Sequence, residues 1–199
     1  MPRTANHEER RASILAAFVR VAAREGLASV SLRAVAAEAG ISLRLVQYYF
    51  ETKAGLMQSG FMSLERESNR RWANRIAELP RPPTARLTLR ALFEEALPTD
   101  EASREFHLLW VSYVILAQTD PGISGGTLID GPNRIRQRIA AILAQGKDDG
   151  EFCPELNVEA EAAILLGLLH GFGTAVLVGQ MTADAAQANL THQIDRLSR

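Results

Sequence analysis

Cysteine is nearly absent from this sequence, and so are several patterns that mark enzyme and metal sites. Cys153 is the only cysteine among 199 residues, so no disulfide can form within the chain and a cysteine-based zinc site lacks its ligands. The spacings HExxH, CxxC, GxxxxGK[ST] and GxGxxG do not occur. The opening residues MPRTANHEER contain no apolar stretch of the kind that a secretory signal needs. We therefore expect a cytoplasmic protein that is not an enzyme and that uses no metal or cofactor.

Strand patterns are also missing, since runs of β-branched and aromatic residues with a period of two do not recur, whereas helical periodicity is found throughout. We predict an all-α protein of about nine helices and no sheet. The predicted helices span about 8–25, 32–39, 43–49, 53–79, 84–97, 101–118, 133–145, 158–178 and 183–197. Ser31, Ser42 and Thr182 are predicted N-caps, because a hydroxyl can accept a hydrogen bond from an unpaired backbone N–H.

Residues 31–56, SLRAVAAEAGISLRLVQYYFETKAGL, contain two short predicted helices separated by a turn at Gly40. The small Ala36 lies where two crossing helices approach closely, and Val35 and Val46 are spaced to face a shared core. This pattern predicts a helix-turn-helix unit, whose second helix enters the major groove of DNA. Residues 1–53 have eight basic and five acidic side chains, a net charge of +3, which is consistent with an anionic partner at this end.

The run LRAVAAEAGIS, followed by YYF and TKAGL, closely resembles the TetR family of bacterial regulators. The resemblance covers residues 8–56, and the remainder agrees in length and helical character. It implies a helix-turn-helix DNA-binding domain at 1–52, followed by an effector-binding and dimerisation domain at 53–199. Family members usually have a small residue and an aromatic residue at the positions that Arg44 and Gln47 occupy here. Arginine and glutamine can pair bidentately with guanine and adenine, which suggests direct base contact.

Candidate DNA contacts follow from this placement. The groove-facing candidates are Ser42, Leu43, Arg44, Gln47 and Tyr48, and the phosphate candidates are Ser31, Arg33, Tyr49, Lys53 and, in a flexible arm, Arg3. Because one residue turns a helix by about 100°, Tyr48 and Tyr49 are interchangeable in these two roles. Leu45 and Val46 are expected to lie in the core.

The resemblance further implies that the later helices enclose a small-molecule effector. The candidate ligand-binding residues are Phe61, Trp72, Phe93, Phe106, His107, Trp110, Tyr113 and His170. Aromatic residues at helical spacing are more often ordinary core, but a pocket with these walls can hold an apolar or cationic ligand. The region of the sixth helix is weakly similar to choline-responsive repressors of the betaine pathway, and this weak similarity names no ligand.

Residues 162–183 contain no acidic or basic side chain apart from His170. A helix that is apolar around most of its circumference must be buried on several sides. The segment is long enough to span a membrane, but Gly167, Gly171 and Thr174 argue against a span. The two glycines are four residues apart and leave a flat strip on which a second helix can pack. We predict a homodimer through the helices near 158–178 and 183–197.

The sequence therefore predicts a ligand-responsive, dimeric repressor that binds a double-stranded DNA operator built as an inverted repeat. One alternative is an architectural protein that binds DNA regardless of sequence. The net charge of −1 argues against it, because such proteins depend on neutralising phosphates. A helical enzyme is the other alternative.

Overall fold

A computed structural model describes residues 2–120 and 130–198, and these residues form nine α-helices and no strand. A short 3-10 helix, Leu27–Ser29, follows α1. The helices are α1 Pro2–Glu25, α2 Leu32–Glu38, α3 Leu43–Phe50, α4 Lys53–Ala77, α5 Ala85–Ala96, α6 Glu101–Thr119, α7 Asp130–Asp148, α8 Val158–Leu177 and α9 Ala183–Arg196. The predicted all-α class is confirmed.

Most predicted helix ends are confirmed, and hydroxyl caps explain them. The side chains of Ser31, Ser42 and Thr182 each accept a hydrogen bond from the backbone N–H three residues on, at 3.1–3.2 Å. Gly40, with a φ of 65°, ends the α2 segment in a backbone conformation that a side chain would disfavour. Each cap therefore acts on its own helix, independently of tertiary packing.

Two helices are longer than predicted. α1 begins at Pro2 rather than near Glu8, because proline is favoured in a first turn and no helix-breaking residue follows it. α7 begins at Asp130 and includes Gly131, which the sequence placed in a loop. Pro132 lies in the first turn of α7, where its missing N–H has no helical partner to lose. The flexible arm predicted around Arg3 is thus wrong, since Arg3 belongs to α1.

The chain divides into two compact units. The first unit contains the chain up to Arg66 in α4, together with the part of α6 from Leu109 onward. The second unit contains α4 from Glu67 onward, α6 up to Leu108, and the helices α5, α7, α8 and α9. The predicted domain division at 52/53 differs from this geometric one and stays a prediction.

The core of the first unit is built from one face of α1. Ile14 and Phe18 are fully buried there, together with Val35 and Val46 of the helix-turn-helix and Leu56 of α4. α4 approaches α1 closely at Gly60, where an added Cβ would lie 2.3 Å from the Phe18 ring. The helix-turn-helix therefore rests on α1 through a continuous apolar contact surface.

The core of the second unit is formed by apolar faces of α5, α7, α8 and α9. The Glu151 carboxylate accepts hydrogen bonds from the backbone N–H groups of Ala85 and Arg86, at 2.7 and 3.2 Å, at the start of α5. An anion at a helix N-terminus is favoured by the unpaired N–H groups and the helix dipole. Arg86 and Arg90 in turn pair with Asp195, which ties α9 to α5.

One face of α8 is left uncovered. Ala163, Ile164, Gly167, Gly171 and Val178 are all exposed, with Ile164 at 47% and Val178 at 72%. Among the described residues, α8 is the one helix that is long and apolar enough to cross a membrane, and 22% of its apolar window is buried. α8 therefore has more apolar side chains than the core of this chain buries.

Candidate DNA-binding surface and effector residues

α2 and α3 form a compact helix-turn-helix. Val35 and Val46 are fully buried between the helices, and Ala36 is 3% exposed at their closest approach. Ile41 donates its backbone N–H to the Ala36 carbonyl, at 3.0 Å, which closes the turn around Gly40. The predicted core contacts of Val35, Ala36 and Val46 are confirmed, and the remaining surface of α3 is free for other contacts.

Three side chains project from the outer face of α3. Arg44, Gln47 and Tyr48 are exposed, and Tyr48 is 71% exposed, the second-highest value among the large apolar side chains described as exposed. Arg44 and Tyr48 are four residues apart and share one helix face. An exposed arginine, amide and phenol on one short helix are the donor and acceptor groups that read base edges.

The structure resolves the ambiguity between the tyrosines. Tyr48 points outward, whereas Tyr49 is half-buried, with its ring 4.6 Å from that of His7. Leu43 and Leu45 are also half-buried. Tyr48 therefore shares the outer face with Arg44, and Tyr49 contributes a side chain that is partly held by α1.

The predicted phosphate contacts Ser31, Arg33 and Lys53 lie at the start of α2 and of α4, and Ser42, a predicted groove contact, precedes α3. Arg33 is exposed on α2, while the Ser31 and Ser42 hydroxyl oxygens cap α2 and α3 and keep their O–H groups for donation. Lys53 donates a hydrogen bond from Nζ to the Ala28 carbonyl, at 3.2 Å. An ammonium group has three donors, so this contact positions Lys53 and leaves donors for a phosphate.

The connection between α3 and α4 is tightly constrained. Thr52 Oγ1 accepts a hydrogen bond from the Gly55 backbone N–H, at 3.0 Å, and so caps α4. An added Cβ on Gly55 would lie 2.6 Å from the Phe50 carbonyl oxygen. Glycine is needed here because the two backbones approach closely. The N-terminus of α4 is therefore fixed beside the end of α3.

Salt bridges join α1 to α2. Glu38 accepts hydrogen bonds from Arg20 and Arg24, at 2.7 and 2.9 Å. The hydrogen bond from Arg20, with a further one from Arg24, lowers the pKa of the Glu38 carboxyl below its usual value. Two of the basic residues counted in the N-terminal excess thus pair with an acid away from α3.

In the first unit, three of the predicted effector residues are placed. The Phe61 and Tyr113 rings lie 4.3 Å apart, inclined by 33°, and Phe61 also contacts the Phe18 ring. Tyr113 is 5% exposed and Trp110 is half-buried. Phe61 and Tyr113 thus come together in one aromatic cluster.

In the second unit, Trp72 lies under the guanidinium of Arg138, 4.6 Å from the ring centroid, and Arg138 also donates to Asn69. The buried Nε1 of Trp72 has no hydrogen-bond partner among the described residues. Phe106 is half-buried, and Phe93, 1% exposed, lies in the apolar core. The cation-π contact of Arg138 with Trp72 joins α7 to α4.

His107 is buried in the second unit, as are the polar residues Glu95 and Ser103, and His170 is half-buried. His107 is 5% exposed, and an added Cβ on Gly173 would lie 2.1 Å from its ring. Burial is the main cause that lowers the pKa of His107, and nearby His170 lowers it further, against a hydrogen bond to the Ala96 carbonyl. Burial also lowers the pKa of His170. Both imidazoles are therefore held neutral.

Stability should consequently fall in mild acid. A histidine whose pKa is lower in the folded state gives full stability above the unfolded value of 6.5. Below that pH the unfolded chain takes up protons first, and each such proton lowers the unfolding free energy by up to about 1.4 kcal/mol per pH unit. We expect urea denaturation between pH 7 and 5 to show this loss. His107→Gln and His170→Gln should each reduce the loss of unfolding free energy between pH 7 and pH 5.

The matched control for this pH profile is His192→Gln, because His192 is exposed on α9. Burial raises the pKa of Glu105, which gives an opposing slope, so the comparison is between each variant and the parent chain. If the parent and both buried-histidine variants lost stability equally toward pH 5, the histidines would not be its source.

Sequence analysis missed two groups of residues. His7 and Arg11 of α1 contact the aromatic end of α3. Their spacing of seven and three residues from the buried Ile14 places them on the core-facing side of α1, and this helical period is the signal that could have identified them. Glu95 of α5, 3% exposed, accepts hydrogen bonds from Ser68 and Arg71 at 3.0 and 2.8 Å. A buried carboxylate in an amphipathic helix could have been noticed from its place among Leu92, Phe93 and Leu97.

Comparisons with known proteins agree with this arrangement. Residues 14–59 match the family described as bacterial regulatory proteins of the tetR family, and residues 83–199 match the C-terminal domain of BetI-type transcriptional repressors. The regulator BetI of Agrobacterium fabrum is 26% identical over 172 residues, 84% of this chain and 79% of its own length. The regulator PksA of Bacillus subtilis is 28% identical over 120 residues, 59% of this chain and 56% of its own length.

Two solved structures resemble the whole fold. A TetR-family regulator from Rhodococcus sp. is 21% identical, with a TM-score of 0.84 over 96% of this chain and 100% of the other. A transcriptional regulator from Saccharomonospora viridis, crystallised in complex with choline, is 26% identical, with a TM-score of 0.74 over 95% of each chain.

Proposed function

Because the chain belongs to the TetR family, with a BetI-type C-terminal domain, and is a DNA-binding transcriptional repressor, we propose that it binds an inverted-repeat operator as a homodimer and leaves it when a small-molecule effector binds. The outer face of α3 is the observation that supports this most strongly. Arg44, Gln47 and Tyr48 are exposed there side by side. We assign these side chains, together with Ser42 and Leu43, to the groove-facing contacts, and Ser31, Arg33, Tyr49 and Lys53 to phosphates.

The dimer is proposed to form through α8 and α9. The uncovered face of α8 contains Ile164, Gly167, Gly171 and Val178. Among the described residues, no atom outside the nearby backbone of α8 lies within 4 Å of a Cβ added to Gly167 or Gly171. Two such faces related by a two-fold axis can pack closely through the glycines and cover the exposed apolar side chains. This use of α8 accounts for its apolar sequence in a cytoplasmic protein without a membrane span.

The effector is proposed to be a small molecule with an apolar or cationic surface. The candidate contacts in the first unit are Phe61, Trp110 and Tyr113. Those in the second unit, taken by itself, are Trp72, Phe93, Phe106, His107 and His170. Aromatic faces attract organic cations, and the Saccharomonospora viridis relative is bound to choline. Choline is therefore the first compound to add to the operator complex.

The proposed regulation is a population shift. Operator DNA favours the dimer in which two α3 helices are spaced for successive major grooves, and the effector favours another spacing. Each ligand shifts the equilibrium only by its differential affinity for the two states, so tight operator binding and tight effector binding oppose each other. The relation is reciprocal, and operator DNA should weaken effector binding by the same factor.

Two alternatives are weaker. An architectural protein would spread basic side chains broadly, whereas Arg20 and Arg24 are paired with Glu38 and Glu25. For an enzyme, the letters GISGG at 122–126 satisfy the GxSxG spacing, although they lie outside the described residues. A nucleophile elbow needs a strand directly before it, and here the preceding element is the helix α6, which ends at Thr119. The relatives of this chain are transcriptional regulators.

Substitution of Arg44 tests the proposal directly. Arg44→Ala removes an exposed guanidinium, and loss of a bidentate base contact should cost about 1–3 kcal/mol per half-site. We expect a marked loss of affinity for operator DNA and little change for scrambled DNA, measured by fluorescence anisotropy at one salt concentration.

The matched control is Arg104→Ala, which removes the same charge from an exposed position on α6. It should leave both affinities unchanged. Equal losses on operator and scrambled DNA for Arg44→Ala would show instead that Arg44 contacts phosphate alone.

A further inference from the structure

The inner face of α1 continues beyond the core toward the end of α3. Phe18 and Ile14 are fully buried on this face. One turn nearer the N-terminus, Arg11 donates to Ser59 at 3.0 Å and lies 5.4 Å over the Phe50 ring. One further turn toward the N-terminus, the His7 ring lies against the Tyr49 ring. The same face that packs the core therefore ends in contact with the aromatic residues of α3.

Three rings meet at this point. His7 and Tyr49 have centroids 4.6 Å apart at an interplanar angle of 44°, and the Tyr48 ring stands edge-on to both, 6.4 Å from His7 and 5.4 Å from Tyr49. Tyr48 is 71% exposed. These two ring contacts therefore restrict a side chain that is otherwise surrounded largely by solvent. Edge-on and offset ring pairs are the favoured geometries for aromatic contacts.

We propose that His7 is a positioning residue for operator recognition, which holds Tyr49 and thereby fixes the direction of Tyr48 beside Arg44. This inference rests on the proposed use of α3 for base contact. A tyrosine that is already ordered loses less rotamer freedom when DNA binds. Ordering one such side chain in advance raises the affinity for DNA by about 2- to 10-fold. The operator has two half-sites, so the affinity for the whole operator rises by about 5- to 100-fold.

The test compares the affinities of the parent chain and its variants for operator and scrambled DNA over a series of salt concentrations. His7→Ala removes the ring, and His7→Phe keeps a ring of similar size without hydrogen-bond donors. We expect His7→Ala to weaken operator binding by about 5- to 100-fold, with unchanged scrambled-DNA affinity and salt slope. His7→Phe should restore most of the operator affinity. The exposed Ser13→Ala, further along α1, is the matched control.

Tyr48→Ala completes a double-mutant cycle. If His7 acts through Tyr48, adding His7→Ala to Tyr48→Ala should cause little further loss, whereas a general structural role would give additive losses. The thermal unfolding midpoint of each variant shows whether it is folded, and His7→Phe supplies the comparison if His7→Ala is not.

Three results would overturn the inference. Equal losses for His7→Ala and His7→Phe on both DNAs, with a smaller salt slope, would make His7 a phosphate contact. Unchanged operator affinity in His7→Ala, or additive losses in the cycle, would remove the positioning role. Arg44→Ala distinguishes failure of the proposed function from failure of the His7 inference. If both Arg44→Ala and His7→Ala leave operator binding intact, the proposed α3 surface is wrong. If Arg44→Ala weakens operator binding and His7→Ala does not, only the positioning role of His7 fails.

Discussion

Inserting five base pairs at the centre of the operator should reduce binding to about the level of scrambled DNA. B-DNA turns once in about 10 base pairs, so the insertion rotates one half-site to the opposite face of the duplex. α4 is one continuous helix from Lys53 to Ala77, so no flexible linker follows α3 in the chain. A two-fold dimer then engages one half-site only, and we expect a loss of at least about 10³-fold, the usual lower ratio of specific to non-specific affinity.

The control for this experiment replaces the five central base pairs without changing their number. That operator keeps the spacing of its half-sites and should bind nearly as well as the original, in a gel shift with non-specific competitor. Tight binding of the lengthened operator at the same salt concentration would contradict a fixed spacing of the two α3 helices.

Local chemistry explains why the helix-turn-helix could be predicted from sequence. The caps at Ser31 and Ser42 and the turn at Gly40 are decided within three or four residues, and the structure has all of them. The same local rules predicted the start of α1 only poorly. The polar residues before Glu8 were predicted to form a flexible arm. Nothing in them opposes a helix, and in the structure they continue α1 toward the N-terminus.

Tertiary contacts account for what the sequence left open at the DNA surface. Tyr48 and Tyr49 differ by one position, and their roles are separated by the contact of Tyr49 with His7, which comes from another helix. Lys53 was expected to contact phosphate, and its hydrogen bond to the Ala28 carbonyl depends on a backbone group 25 residues away. Helical periodicity has no access to such partners, because it describes one element at a time.

The same limit applies to the effector residues. Phe61 and Tyr113 are 52 positions apart in sequence and lie 4.3 Å apart in the structure. Phe93 is an aromatic candidate of the same kind and is 1% exposed within the apolar core of the second unit. Aromatic residues at helical spacing serve both purposes, so their assignment to ligand contacts stays a prediction.

The uncovered face of α8 leads to the last expected result. Gly171→Leu should break the dimer while leaving the protomer folded, because in the part of the chain that the structure describes no other element lies within 4 Å of a Cβ on Gly171. At a two-fold interface the added side chain enters twice. Overpacking costs about 1–3 kcal/mol for each copy, which raises the dimer dissociation constant by about 30-fold to 10⁴-fold. Sedimentation velocity should show monomers, and operator binding should be lost with the second α3 helix.

Two controls separate this effect from misfolding and from added surface hydrophobicity. Gly171→Ala keeps the position small and should remain a dimer, since alanine favours a helix over glycine by about 1 kcal/mol. Ala73→Leu adds an apolar side chain at an exposed position of α4 and should also remain a dimer. Far-ultraviolet circular dichroism should be unchanged in all three. A Gly171→Leu protein that sediments as a dimer and binds the operator would place the interface elsewhere, because a leucine cannot fit where two α8 helices pack through their glycines.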